Sequence, residues 1–193
     1  MAETKPKDPM SAIEALQTRS SSPRLTEPGP SPESLTYICK SALRAADHGL
    51  IRPWRFLIIE ADSRMKLGEL FLKASLAKTP NLEPQQKEKI KTKALRAPTI
   101  IVAITSPQSH PKVPDIEQEY STAAAVQNMS LAAYALGVGS VWRTGAFAYD
   151  EVVHQGLGLE KNEKIIGFLY IGTRSGPIKQ LVELDPANYF KAW

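Results

Sequence analysis

The spacing of apolar residues changes several times along the chain, and each change marks an expected element. Across 11–18, Ile13 and Leu16 recur at helical spacing, which predicts a short amphipathic helix offering both to a core. Arg19, three serines and Pro23 then stop it. Ser31-Pro32-Glu33 supplies a capping hydroxyl, an N1 proline and an early acid, so a second helix opens near Pro32. Leu35, Ile38, Cys39, Ala42, Leu43 and Ala46 form its single apolar stripe, with Cys39 read as a packed thiol.

Unbroken apolar runs at 56–59 and 99–104 have strand length. The basic stretch between them is predicted to form two helices broken around Thr79-Pro80-Asn81, and its few large apolar residues suggest a mobile cover. Residues 117–136 form the longest helix candidate, with a second half apolar nearly all round and therefore expected to be buried on every side. A third strand over 140–143, a short helix over 150–155 and a fourth strand over 165–171 follow. Beyond them the chain reads as an extended arm carrying Tyr189, Phe190 and Trp193. This order describes one sheet covered by helices, of the α/β or the α+β class.

Length changes the picture little: 193 residues suit one domain, taken as 10–193 after a disordered tail at 1–9. One cysteine excludes an internal disulfide. No apolar run reaches membrane-span length and the polar N-terminus is unlike a secretory signal, so the expected location is the cytoplasm. The net charge is +4, and the stretch from Arg64 to Arg96 alone exceeds it. Nucleic-acid binding needs stacking aromatics beside such charge, and Phe71 is the only aromatic there. A solvated helical face is the plainer reading, and a non-catalytic anion- or nucleic-acid-binding module is the rival one.

The motifs that mark several chemistries are missing. His48, His110 and His154 show no metal-pair spacing, and HExxH, CxxC, GxSxG and Walker sequences do not occur. No metal is expected. Gly137-Val138-Gly139 and Gly156-Leu157-Gly158 follow helices and precede strands, the reverse of a dinucleotide fingerprint, and read as helix caps. This pattern of absences suits a binding module or an enzyme whose cofactor carries the reaction. Arginines and hydroxyls stand where elements end: Arg19-Ser20-Ser21, Arg44 with His48, and Trp142-Arg143-Thr144. Converging, they could hold a phosphate-bearing ligand.

The run MSAIEALQTRSSSPRL from Met10, Ala45-Ala46-Asp47-His48 with Pro53-Trp54, Val141-Trp142-Arg143-Thr144-Gly145 and Ile166-Gly167-Phe168-Leu169-Tyr170-Ile171-Gly172 together resemble the FMN-dependent nitroreductase family. The resemblance is strongest to its compact bacterial subgroup of NAD(P)H nitroreductases, and extends over nearly the whole chain from Met10. It implies an α+β homodimer with a central, mostly antiparallel sheet flanked by helices, an extended C-terminal arm and FMN at the interface. NADH or NADPH would be the reductant, and a nitroaromatic, quinone-like or other conjugated small molecule the acceptor. Another FMN reaction on the same scaffold is the nearest alternative.

By the same resemblance, Arg19, Ser20, Ser21, Arg44, His48, Trp142, Arg143 and Thr144 contact FMN, while Ala132, Ala133, Tyr134, Ala135, Leu136 and Gly137 meet the nicotinamide nucleotide. No side chain need be an obligatory acid or base. Two positions depart from the family pattern. Arg19-Ser20-Ser21 stands where Arg-Arg-Ser is common, and Arg52 stands where glutamine often precedes Pro-Trp.

Overall fold

The computed structural model describes residues 10–177 and 180–193, so the expected tail at 1–9 lies outside the described residues. β5 (Lys164–Arg174) organises the sheet. On one side it pairs with β3 (Thr99–Thr105), beyond which lies β2 (Trp54–Glu60). On the other it pairs with β4 (Gly139–Arg143), and its C-terminal end pairs with a two-residue β1 (Leu25–Thr26). Every pairing is antiparallel, which places the fold in the α+β class.

The strand period of two explains why β3 is buried throughout. Ile100, Val102 and Ile104 face α3 (Asp62–Lys78) and α6 (Glu151–Gly156), together with Phe168 and Tyr170 of β5. Ile101 and Ala103, with Leu169 and Ile171, face α2 (Pro32–Ala42) and α5 (Asp115–Ala135). Helices on both faces thus turn alternate residues of two neighbouring strands into two cores.

The helix ends follow the expected chemistry. Ser11 Oγ accepts the Glu14 N–H at the start of α1 (Ala12–Thr18), and Ser31 Oγ accepts that of Ser34 at the start of α2. Gly137 and Gly158 take φ of 75° and 67° after α5 and α6, the left-handed position that a capping glycine accommodates.

Four packing expectations fail. The stripe of α2 stops at Ala42, where the helix ends, so Leu43 and Ala46 lie beyond it and are exposed. α1 buries Ala15 instead of Ile13 and Leu16, which remain 64% and 59% exposed, because the helix rests on α5 through its small-residue side. α5 buries one stripe, including Gln118, Thr122, Val126 and Met129, but leaves Leu131 and Ala132 half-buried and Tyr120 exposed. Within a single chain it is therefore not enclosed on all sides. The basic pair is also more than a loose cover: Leu67, Phe71 and Ala74 of α3 enter the core at i, i+4 and i+7. α4 (Pro84–Lys91) is the outer member and has no fully buried residue. Of the residues expected to form the arm, Val182, Phe190 and Trp193 are exposed, and Pro186–Asn188 make one short 3-10 turn.

Candidate active site

β4 is a sheet edge, and the chain after α1 lies along it. The Ser22 N–H donates to the Ser140 carbonyl at 2.8 Å, which ties the segment after α1 to the start of the strand; of the predicted residues Ser20 and Ser21 line the cavity there, and Arg19 is not among its lining residues. β1 pairs Leu25 with Arg174, and the Ser175 N–H donates to the Arg24 carbonyl at 3.1 Å. These bonds enclose a cavity of about 340 Å³ lined by Ser20, Ser21, Ser22, Arg24, Arg174 and Ser175. The Arg174 guanidinium lies over the Tyr134 ring, 5.4 Å from its centroid. Its Nε is buried without a hydrogen-bond partner among the described residues.

Trp142, Arg143 and Thr144 close the other end of β4, about 10 Å further at strand rise. A larger cavity opens there, about 580 Å³ in volume. Its floor is aromatic: Phe71 stacks on Phe147 at 4.2 Å and meets Phe168 edge-on at 5.6 Å. Its rim is basic, with Lys93, Arg96 and Arg143. Lys93 Nζ sits 4.9 Å from the Phe147 centroid, and burial, reinforced by Arg96 and Lys89, pushes its pKa down. Arg143 lies 5.9 Å from the Tyr170 centroid, and its Nε is also buried and unpartnered among the described residues. Burial pushes the Tyr170 phenol up, against the pull of Arg143 and Arg96. Thr144 is exposed, and Gly145 turns the chain away with φ 69°.

Asp150 secures this wall. It accepts the N–H groups of Val152 and Val153 as the cap of α6 and pairs with Lys78 at 2.5 Å. Burial opposes its ionisation, yet Lys78 and the two amides hold its carboxyl below the ordinary value.

Arg44 and His48 lie elsewhere. Arg44 lines an apolar groove of about 530 Å³ between α1, α2 and α5, with Met10, Leu16, Leu131 and Ala135. His48 Nδ1 donates to Glu117 Oε2 at 2.7 Å, and its Nε2 makes no hydrogen bond among the described residues. Beside it Leu50 and Arg52 both adopt φ of 54°, a left-handed conformation costly for residues with a Cβ. The 132–137 segment is divided: Ala132 and Ala135 face the groove with Arg44, whereas Tyr134 supports Arg174. Among the described residues no cluster of three or more metal-ligating side chains occurs, and no helix is long and apolar enough to cross a membrane.

The family model described as the nitroreductase family matches residues 15–173. This chain belongs to the nitroreductase family. The nitroreductase-family chain is 37% identical over 164 residues to YdjA of Escherichia coli strain K12, provisionally named an NAD(P)H nitroreductase, covering 85% of this chain and 88% of that one. A Haemophilus influenzae protein with the same provisional designation is 36% identical over 166 residues, covering 85% and 89%. Among solved structures, a nitroreductase-like protein from Bacillus cereus superposes with TM-score 0.81 at 22% identity, over 95% and 96% of the two chains. A Bacteroides fragilis nitroreductase with bound FMN gives 0.70 at 21%, over 95% and 100%. These likenesses establish the fold of this nitroreductase-family chain.

Four cations were not singled out in sequence as site residues. Lys93 and Arg96 stand in the basic stretch, where their neighbours hide them: Lys91 pairs with Glu69 and Glu88, and Arg64 with Glu27. Arg24 and Arg174 owe their meeting to β1, and two residues carry no periodicity that could reveal a strand.

Proposed function

We propose that this nitroreductase-family chain is an FMN-dependent oxidoreductase that takes electrons from NADH or NADPH and passes them to nitroaromatic, quinone-like or other conjugated acceptors, acting in the cytoplasm. The supporting observation is a pair of arginines, Arg143 and Arg174, each with a buried Nε that has no hydrogen-bond partner among the described residues, lining cavities at two ends of one edge strand. Such atoms are rarely left without an acceptor, so the site suits an elongated anionic ligand. FMN fits: Arg143, Thr144 and Lys93 with the aromatic floor would hold its ring end, while Ser20 and Ser21, with Arg19 preceding them in the chain, would hold its phosphate end. When bound, FMN supplies hydride acceptance from reduced nicotinamide and electron transfer to the acceptor.

The chain's own contribution is binding, orientation and charge. The aromatic floor would exclude water from a ring bound in this cavity, and the cations at its rim would favour electron-rich groups. Arg44 and His48 Nε2 reach this site from a second copy of the chain in our reading. That reading is supported by the exposed Ile13 and Leu16 of α1 and the open side of α5 along the Arg44 groove, which a second copy would cover. The nicotinamide nucleotide is assigned to 132–137, where Ala132 and Ala135 face that groove. The rival nucleic-acid reading loses its one stacking candidate, since Phe71 is 1% exposed.

The test is an absorbance spectrum of the purified protein with and without added FMN, followed by anaerobic addition of each nicotinamide. A bound flavin that bleaches is the expected result. A protein that stays colourless after FMN addition and dialysis would exclude the reading.

A further inference from the structure

We propose that Arg174 binds the phosphate end of the flavin and supplies the positive charge absent at position 20. The inference rests on the FMN reading above and concerns one residue of this chain. The family pattern often places a second arginine where Ser20 stands, so the segment beside β4 carries one guanidinium fewer. Arg174 lines the same cavity as Ser20, Ser21 and Ser22.

Its placement is fixed by main-chain bonds. The β1 register sets Arg174 opposite Leu25, and the Ser175 amide is bonded to the Arg24 carbonyl. Tyr134 supports the guanidinium from below at 5.4 Å. No acidic side chain is among the described residues lining the cavity, and the buried Nε has no acceptor among them. The cavity therefore offers an arginine fork, serine hydroxyls and a second cation, Arg24, to whatever anion enters. A phosphate monoester matches that set, since a guanidinium can donate two parallel hydrogen bonds to it.

The experiment titrates the flavin-free, full-length protein with FMN and with riboflavin, which lacks the phosphate, reading flavin fluorescence. Arg174→Gln is expected to weaken FMN binding by about 10- to 150-fold, the range of a charged hydrogen bond. Riboflavin binding should stay within about twofold. Adding Ser20→Arg to Arg174→Gln should recover most of the FMN affinity without changing that for riboflavin. Arg174→Lys, which keeps the charge and loses the fork, should fall between wild type and Arg174→Gln.

Wild-type protein that binds FMN, with Arg174→Gln within about twofold of it, overturns the assignment. Equal losses for FMN and riboflavin also overturn it, because they would mark a general structural role. Wild-type protein that binds neither flavin would remove the FMN reading and this assignment together, a result distinct from either of the others.

Discussion

Arg55 grips Glu163 with two hydrogen bonds, Nε to Oε1 at 2.7 Å and Nη2 to Oε2 at 2.6 Å, and also donates from Nη2 to the Gly158 carbonyl at 2.9 Å. The pair fastens the start of β2 to the turn between α6 and β5. Glu163 is buried, and Arg55 lowers its pKa from 4.5 to about 2 against the cost of burial. A depressed carboxylate pKa stabilises the fold fully above the unfolded value, and that contribution disappears as pH falls from about 4.5 toward 2.

Glu163→Gln should therefore destabilise the protein by about 3 kcal/mol at pH 7, the usual cost of breaking a buried pair. Urea unfolding at pH 7 and pH 3 tests this. Wild type should lose more stability than the variant between those pH values, and equal losses would show that another carboxylate governs acid sensitivity.

Gly68 offers a test in which two effects have opposite signs. In a helix interior, alanine is favoured over glycine by about 1 kcal/mol. A Cβ at Gly68, however, would overlap the Lys91 carbonyl oxygen where α3 meets the end of α4, and backbone cannot move aside cheaply. Overpacking of this kind costs about 1–3 kcal/mol. Gly68→Ala should lower Tm by several degrees, roughly 2–4 °C for each kcal/mol at this chain length. A raised Tm in thermal melts would mean that the two helices separate easily.

Arg143 stands at the ring end of the proposed site and Arg19 at the phosphate end. Arg143→Ala should weaken FMN and riboflavin alike, by about 10- to 150-fold. Arg19→Ala should weaken FMN by a similar factor while sparing riboflavin. Fluorescence titration distinguishes the two patterns, and loss of FMN alone in Arg143→Ala would reverse the assigned direction of the ligand.

Ile13 and Leu16 project from α1 without a core to enter. If a second copy covers them, Leu16→Glu should shift sedimentation toward monomer and lower flavin content in parallel, since Arg44 and His48 would leave with the partner. A wild-type monomer at micromolar concentration that retains flavin would contradict the coupling.

Much of this fold was legible because its signals are local. The apolar runs at 56–59 and 99–104 became β2 and β3 with small changes at their ends, and Ser31-Pro32 opened α2 as capping chemistry requires. What could not be read depended on distant partners. β1 exists because Leu25 meets Arg174 from nearly the other end of the chain. α3 looked like a cover because Leu67, Phe71 and Ala74 are scattered among lysines, yet three residues on one face suffice to anchor it. The candidate site was legible only in pieces: the segment Arg19–Ser21 runs into Ser22, which bonds to the start of β4, Trp142 and Arg143 end the same strand, and Arg44 and His48 lie away from both.

The exposed arm also gives the molecule an optical asymmetry. Its three tryptophans occupy different surroundings: Trp54 and Trp142 pack against the core facing α5, whereas Trp193 stands fully in water. A dissolved quencher collides with Trp193 freely and with the other two seldom. Trp142 adjoins Arg143, so a flavin bound there would drain its emission by energy transfer, while a neighbouring subunit covering the arm would shield Trp193 from the quencher. Ligand loading and subunit association would thus leave separate marks on the emission of one unlabelled sample.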